Sequence, residues 1–251
     1  MLVLMKFEIY VKKSLAVLGT SLASAMLIIN PAKATDLDEL QALGQGQFRT
    51  LVENVGAATH YKALAPAEPL GLIGFDVALE LSVTEIDEEI FDIASGGSFD
   101  LSRFLLPRLH VHKGLPFGID LGAFLTTIPD TDFTALGAEL RYAFLEGSTL
   151  TPAVAVRAHY SLVEGVDELD LNNTGVELTV SKGFLFLTPY AGIGTIRTSG
   201  TPNDVAGLSK ESVDQEKVYV GVNINLGFNV GIEADRTGDY TTFSLKTGFR
   251  F

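Results

Sequence analysis

The sequence contains no cysteine, few basic residues and only one long apolar run. Without cysteine there is no disulfide framework, so an exported chain of this length must be held by its own core or by a closed hydrogen-bonded sheet. Lys and Arg number 18 against 31 Asp and Glu, a formal net charge of −13 that leaves no basic face for nucleic acid. Mean hydropathy is nevertheless high, at +0.28. The apolar character must therefore be spread along the chain rather than gathered into membrane helices.

The one run, Ser14 to Ile29 (SLAVLGTSLASAMLII), follows Lys6, Lys12 and Lys13 and precedes Pro31-Ala32-Lys33-Ala34. A positive n-region, an apolar h-region and an A-x-A site are the parts of a secretory signal peptide. Residues 1–34 are assigned to such a leader, cut after Ala34. It holds four lysines and one acid, Glu8, so the remainder is more acidic than the whole.

From Gly71 onward strand-length runs alternate apolar residues with small, polar or charged ones, the mark of a sheet with two unlike faces. In GLIGFDVALELSV one face holds Ile73, Phe75, Val77, Leu79, Leu81 and Val83; the other holds Gly74, Asp76, Ala78, Glu80 and Ser82. Nine more such runs follow, ending in TTFSLKTGFRF. The seventh, Phe184 to Ile196, switches parity near Thr188 and predicts a bulge there. Tight turns follow the even-numbered runs, at Lys113–Pro116, Glu146–Ser148, Ser181–Gly183 and Leu226-Gly227. Longer or more polar loops, such as Thr84 to Ser102 and Thr198 to Glu216, are expected after the odd-numbered ones. Short turns at one end and long loops at the other describe an outer-membrane barrel with both chain ends in the periplasm. Phe117, Phe144, Phe186, Phe228, Phe249 and Phe251 fall at short-turn ends, and Phe133, Tyr160 and Tyr240 near long-loop ends, predicting two aromatic girdles.

The leader, the alternating runs and the terminal Gly248-Phe249-Arg250-Phe251 resemble the outer-membrane β-barrel proteins of Gram-negative bacteria. The resemblance covers Gly71 to Phe251 and names a class, not a subfamily. It implies that the last strand, ending in Phe251 with Phe249, Thr247, Leu245 and Phe243 at alternate positions, is the signal read by the barrel-insertion machinery. Thr247 is the weak member. A periplasmic β-sandwich or a lipocalin-like barrel would turn its apolar face inward and carry a charged, Lys-rich outer face, whereas here the second face is rich in Gly and Ala with scattered charges of both signs.

Parity predicts a lumen lined by Asp76, Glu80, Arg108, His110, His112, Asp120, Glu139, Arg141, Arg157, His159, Ser161, Glu177, Tyr219, Asn223, Asn225, Glu233, Asp235, Lys246 and Arg250. The near balance of charge favours a salt-bridged filling over a strongly selective open pore. A ten-stranded barrel is little wider than the eight-stranded kind that side chains fill, whereas aqueous porins need about 16 strands. Ahead of the barrel, Asp36 and Glu39 suggest a capping box, and Phe48, Leu51, Val52 and Val55 lie on one helical face. Gly44 and Gly46 are expected to separate two short helices, which either plug the barrel from the periplasm or pack against its rim.

Three constellations suggest chemistry. His159-Tyr160-Ser161 is similar to the His-x-Ser of outer-membrane lipid A deacylases, and Glu177 on the next strand would orient the imidazole of such an acyl hydrolase. Parity, however, points His159 and Ser161 inward, away from lipid. His110 and His112, with Asp120 across the turn, invite a metal reading, but spacing fixes no third ligand, and a hydrogen-bonded structural role is the expectation. The acidic loops, with Glu85, Asp87, Glu88, Glu89, Asp92 and Asp100 in the first and Glu164, Asp167, Glu168 and Asp170 in the third, lack EF-hand spacing and read as a solvated rim. Omptin-type proteases share the strand number, but their paired carboxylates and Asp-His have no counterpart here.

The expected molecule is a monomeric, all-β, transmembrane antiparallel up-and-down barrel of about ten strands, within bounds of about eight to twelve. Residues 35–69 form its N-terminal helical segment and 70–251 the barrel. Its expected role is non-enzymatic, a narrow passage for small solutes or a structural envelope barrel, without cofactor or metal. Its partners would be outer-membrane lipids, lipopolysaccharide and the insertion machinery, with no nucleic acid. A lipid-modifying hydrolase using His159, Ser161 and Glu177 is the alternative.

Overall fold

The structure, a computed structural model, describes residues 37, 39–97, 102–128 and 131–251, which belong to one compact unit. The leader, Asp36 of the capping box and Asp100 of the first loop lie outside the described residues.

A 3-10 turn, Leu40–Ala42, leads into helix α1 (Gln45–Thr59). Ten strands follow: β1 (Phe75–Glu85), β2 (Arg103–Gly114), β3 (Ile119–Thr127), β4 (Thr134–Leu145), β5 (Ala153–Glu164), β6 (Leu169–Ser181), β7 (Leu187–Pro202), β8 (Glu211–Asn225), β9 (Asn229–Thr237) and β10 (Tyr240–Arg250). Each pairs antiparallel with its sequence neighbours, and β1 pairs with β10, so the sheet closes into an up-and-down barrel without a free edge. The alternation read from the sequence decides which side each residue faces. Along β1 the residues alternate half-buried and buried from Phe75 to Thr84. The half-buried and exposed set is apolar and points out; the buried set is small or polar and points in.

Three features differ from expectation. No bulge lies near Thr188: β7 keeps an unbroken register with β8 from Leu187 to Gly200. The parity switch arises because Tyr190 and Ile196 are inward residues that happen to be apolar, while Phe184 to Phe186 belong to the preceding turn. The register shift falls instead in β4 between Ala143 and Leu145. Connections are also less cleanly sorted by length: residues 238–239 and 165–168 make compact turns at the long-loop end, and residues 146–152 a longer link at the other. Thr237 and Tyr240, which lie between the ninth and tenth alternating runs, stay paired in the ladder up to the turn, where Gly238 adopts φ +58. The first loop contains a second helix, α2 (Glu88–Ala94), which buries Ile90, Phe91 and Ala94.

The N-terminal segment lies inside this frame. Helix α1 begins after Gly44, whose N–H donates to Gln47 Oε1 at 3.0 Å, and Gly46 sits within its first turn rather than separating two helices. Its buried face, Phe48, Leu51, Val52 and Val55, meets apolar inward residues of the barrel wall, Phe104, Leu106, Phe124, Leu171 and Val213, together with Ile90 and Phe91 of α2. Phe133 belongs to this core at 3% exposure, so it leaves the expected girdle, and Tyr240 turns to donor-acceptor contact with Asn54. Of the three long-loop aromatics only Tyr160 is exposed on the outer wall. The short-turn girdle is fuller, with Phe117, Phe144, Phe186, Phe228 and Phe251 all exposed.

Candidate functional site

The barrel exterior between the girdle and the loops is apolar. Leu109, Leu121, Leu140, Val176, Val220 and Leu245 are among its exposed side chains. Exposed charge gathers toward the loop end, as in the Arg197–Asp214 pair at 2.7 Å. The interior is the reverse.

Of the fifteen charged or imidazole-bearing residues expected in the lumen all but Arg250 are buried, among them Arg108, His110, His112, Asp120, Glu139, Arg141, Arg157, Glu177, Glu233 and Lys246. Of the wider inward set only Asn225 and Arg250, at the short-turn end, reach solvent. Strand register creates the ion pairs, since residues directly opposite on neighbouring strands share a face. Glu80 faces Arg108, and their side chains pair at 2.6 Å. Asp120 faces Arg141 and pairs with it, and Arg157 faces Glu177, bonded at 2.9 Å. Lys246 reaches diagonally to Asp76 at 3.0 Å. Glu177 also accepts from Lys217 Nζ at 2.8 Å and lies 3.3 Å from His159 Nε2, so one carboxylate serves three neighbours.

Residues 60–70 run along this lumen outside any helix or strand and add to its hydrogen bonding. The wall's side chains donate to main-chain carbonyls: Lys246 to Ala63 at 3.2 Å, Arg157 to Ala65 at 3.4 Å, Arg141 to Pro66 at 2.7 Å and Arg250 to Glu68 at 3.2 Å. Arg108 does the same for Ala58 at the end of α1, and Ser161 for Thr59. In return Ala67 N–H donates to Ser181 Oγ at 3.0 Å and Leu70 N–H to Asp120 at 3.1 Å. Three side chains of the segment anchor it. Lys62 pairs with Asp235 at 2.9 Å, Tyr61 Oη lies 3.0 Å from His112 Nε2, and Leu64 is fully buried in the left-handed region at φ 44. A non-glycine residue holds that conformation only where its surroundings over-determine it.

The sequence-level constellations sort differently once placed. His159 sits beside Glu177, but Ser161 donates its proton to Thr59 O at 3.2 Å and accepts from Asn173 Nδ2 at 3.1 Å. Both are buried in the lumen, on the face opposite the apolar wall. His110 bonds Glu80, His112 faces Tyr61 and Glu139, and Asp120 is held by Arg141 and Leu70; the three do not converge. No group of three metal-ligating side chains occurs among the described residues.

Sequence reasoning missed Lys217, His60, Tyr61 and Lys62 as lumen residues. Lys217 shares the inward parity of Tyr219, two residues on, and was legible from that spacing. His60, Tyr61 and Lys62 precede the alternating runs, so no periodicity marks them. The apolar inward residues Phe104, Leu106 and Phe124 were likewise invisible, because alternation identifies an apolar residue with the outer face.

No protein-family model and no curated protein matches the chain. Among solved structures, the N-terminal β-barrel domain of OprF from Pseudomonas aeruginosa is similar at 14% identity and a TM-score of 0.35, over 69% of this chain and 97% of that one. The translocator domain of the autotransporter NalP from Neisseria meningitidis is similar at 12% identity and a TM-score of 0.36, over 88% and 99%. LpxR from Salmonella typhimurium is similar at 12% identity and a TM-score of 0.35, over 69% and 100%. The closed barrel itself stands on its own hydrogen-bonded register, independent of these likenesses.

Proposed function

We propose that this chain is a monomeric outer-membrane β-barrel that acts without chemistry, as an envelope barrel whose narrow passage is held closed by its own N-terminal segment. The observation that carries the reading is the division of the wall, with an apolar exterior around a charged lumen occupied from residue 60 to residue 70. An apolar belt on a closed barrel is stable against lipid hydrocarbon and unfavourable in water. Outer-membrane lipids and lipopolysaccharide are then the partners of the wall, and Phe249 and Phe251 those of the insertion machinery. The acyl-hydrolase alternative is the weaker reading, because the proton of Ser161 goes to a main-chain carbonyl and not to His159.

The test is direct. Expressed with its leader, the protein should fractionate with outer membranes and migrate differently on gels with and without boiling. Reconstituted intact in planar bilayers, it should carry no steady current. A soluble product without a heat-dependent shift would overturn the membrane reading; a steady open-channel current from the intact chain would overturn the closed state. Release of fatty acid from lipid A, lost in Ser161→Ala, would restore the hydrolase.

A further inference from the structure

The path of the chain through the barrel bears on which side of the membrane its N-terminal segment occupies. β1 begins at Phe75, whose N–H donates to Phe251 O at 2.6 Å, and Gly114 N–H donates to Gly74 O at 3.1 Å. The chain just ahead of β1 therefore lies at the end where β10 stops. Traced backward from there, its contacts climb the lumen: Glu68 with Arg250, Ala65 with Arg157, Ala58 with Arg108. They end among the long loops, where Gln45 Nε2 donates to Ser209 O at 3.0 Å and Asn54 Oδ1 accepts from Asp87 N–H at 2.7 Å.

We propose that α1 faces the outside of the cell, the N-terminal segment having crossed the membrane through the lumen of its own barrel. The inference rests on the outer-membrane reading above, which places the long loops outside. The lumen is chemically suited to the passage. Wall side chains Arg108, Arg141, Arg157 and Lys246 hold the segment by main-chain carbonyls, a grip that does not depend on side-chain identity. At Ala63, Ala65 and Ala67 the segment carries only a buried methyl group, which keeps it narrow there. A helix with its side chains is about 10–12 Å across. The segment itself crosses outside any helix or strand, and α1 forms in the mouth, where Phe48, Leu51 and Val52 find their apolar partners. The barrel is thus a conduit and a mount for one polypeptide, its own, and it presents α1 at the cell surface.

Single-cysteine variants test this cleanly, because the chain has no native cysteine. Gly46→Cys marks α1 at an exposed position where a side chain meets nothing within 4 Å. Asp167→Cys marks an exposed position at the long-loop end, and Leu150→Cys, 90% exposed in the native protein, marks the short-turn end. Folding of each is checked by the heat-dependent gel shift and by labelling in detergent. Intact cells are then treated with a polyethylene-glycol maleimide too large to cross the outer membrane. The expected result is that Gly46→Cys and Asp167→Cys label at the same rate, whereas Leu150→Cys labels only after permeabilisation. If Gly46→Cys follows Leu150→Cys while Asp167→Cys labels from outside, the inference fails and the membrane reading stands. If Leu150→Cys is the one reached from outside, the orientation of the barrel is reversed and the inference fails; if the three variants are soluble, the membrane reading fails and the inference falls with it.

Discussion

At the scale of single residues, the lumen depends on carboxylates that each serve several cations. Glu177 is the clearest case, since its oxygens hold both Arg157 and Lys217 and lie beside His159. Arg157 keeps Glu139 at 2.8 Å if Glu177 is neutralised, but Lys217 has no second carboxylate in an ion pair among the described residues. Removing one partner of a buried pair leaves an uncompensated charge and costs about 3–5 kcal/mol. Glu177→Gln should therefore lower the urea midpoint of the heat-dependent gel shift, and Lys217→Met in the same chain should recover much of the loss; strictly additive losses would show that the two do not interact. These partners were legible in part. Glu177 and Arg157 follow from parity and from facing each other across β5 and β6. The contribution of Lys62, which holds Asp235, was not, because it comes from a segment whose sequence has no period.

At the scale of elements, α1 and the strands fit through glycines. A Cβ at Gly200 of β7 would stand 3.3 Å from Val52 Cγ1 and closer still to Cγ2. Overpacking of this kind costs about 1–3 kcal/mol. Gly200→Ala should thus loosen α1, seen as faster protease cleavage near α1 in intact barrels, and Val52→Ala in the same chain should reverse it; unchanged cleavage in Gly200→Ala would show that the helix is not seated on this wall. The closing seam makes a second prediction. Phe75 and Phe251 exchange two main-chain hydrogen bonds, at 2.6 and 3.0 Å, and their rings stand 4.2 Å apart. Deleting Phe251 removes both bonds and the ring contact, so the yield of heat-modifiable barrel should fall sharply while transcript and export are unchanged. An equal yield would mean that neither closure nor insertion uses this residue. The alternation of the last nine residues had already marked them as strand interior, since a frayed terminus has no need of two faces.

At the scale of the whole molecule, the N-terminal segment occupies the lumen from residue 60 to residue 70. Deleting residues 37–66 removes the carbonyls that Arg108, Arg141, Arg157 and Lys246 hold and takes Lys62 from Asp235, but those four wall cations keep their carboxylates, so most of the charged wall remains paired. The apolar mouth formed by Phe104, Leu106 and Leu171 would face water instead. The truncated barrel should remain heat-modifiable with a lower urea midpoint, and in planar bilayers it should show a steady current that the intact protein lacks. A silent truncated barrel would mean that wall side chains alone close the lumen. By itself the sequence determined the sheet, its antiparallel order and the side on which most wall residues lie, because period-two alternation is a local property that any strand must express. Only the tertiary structure decided what fills the interior. The path of residues 60–70, the apolar seat of α1 and the sharing of each charge depend on closure bringing distant segments face to face, and local periodicity carries no record of that.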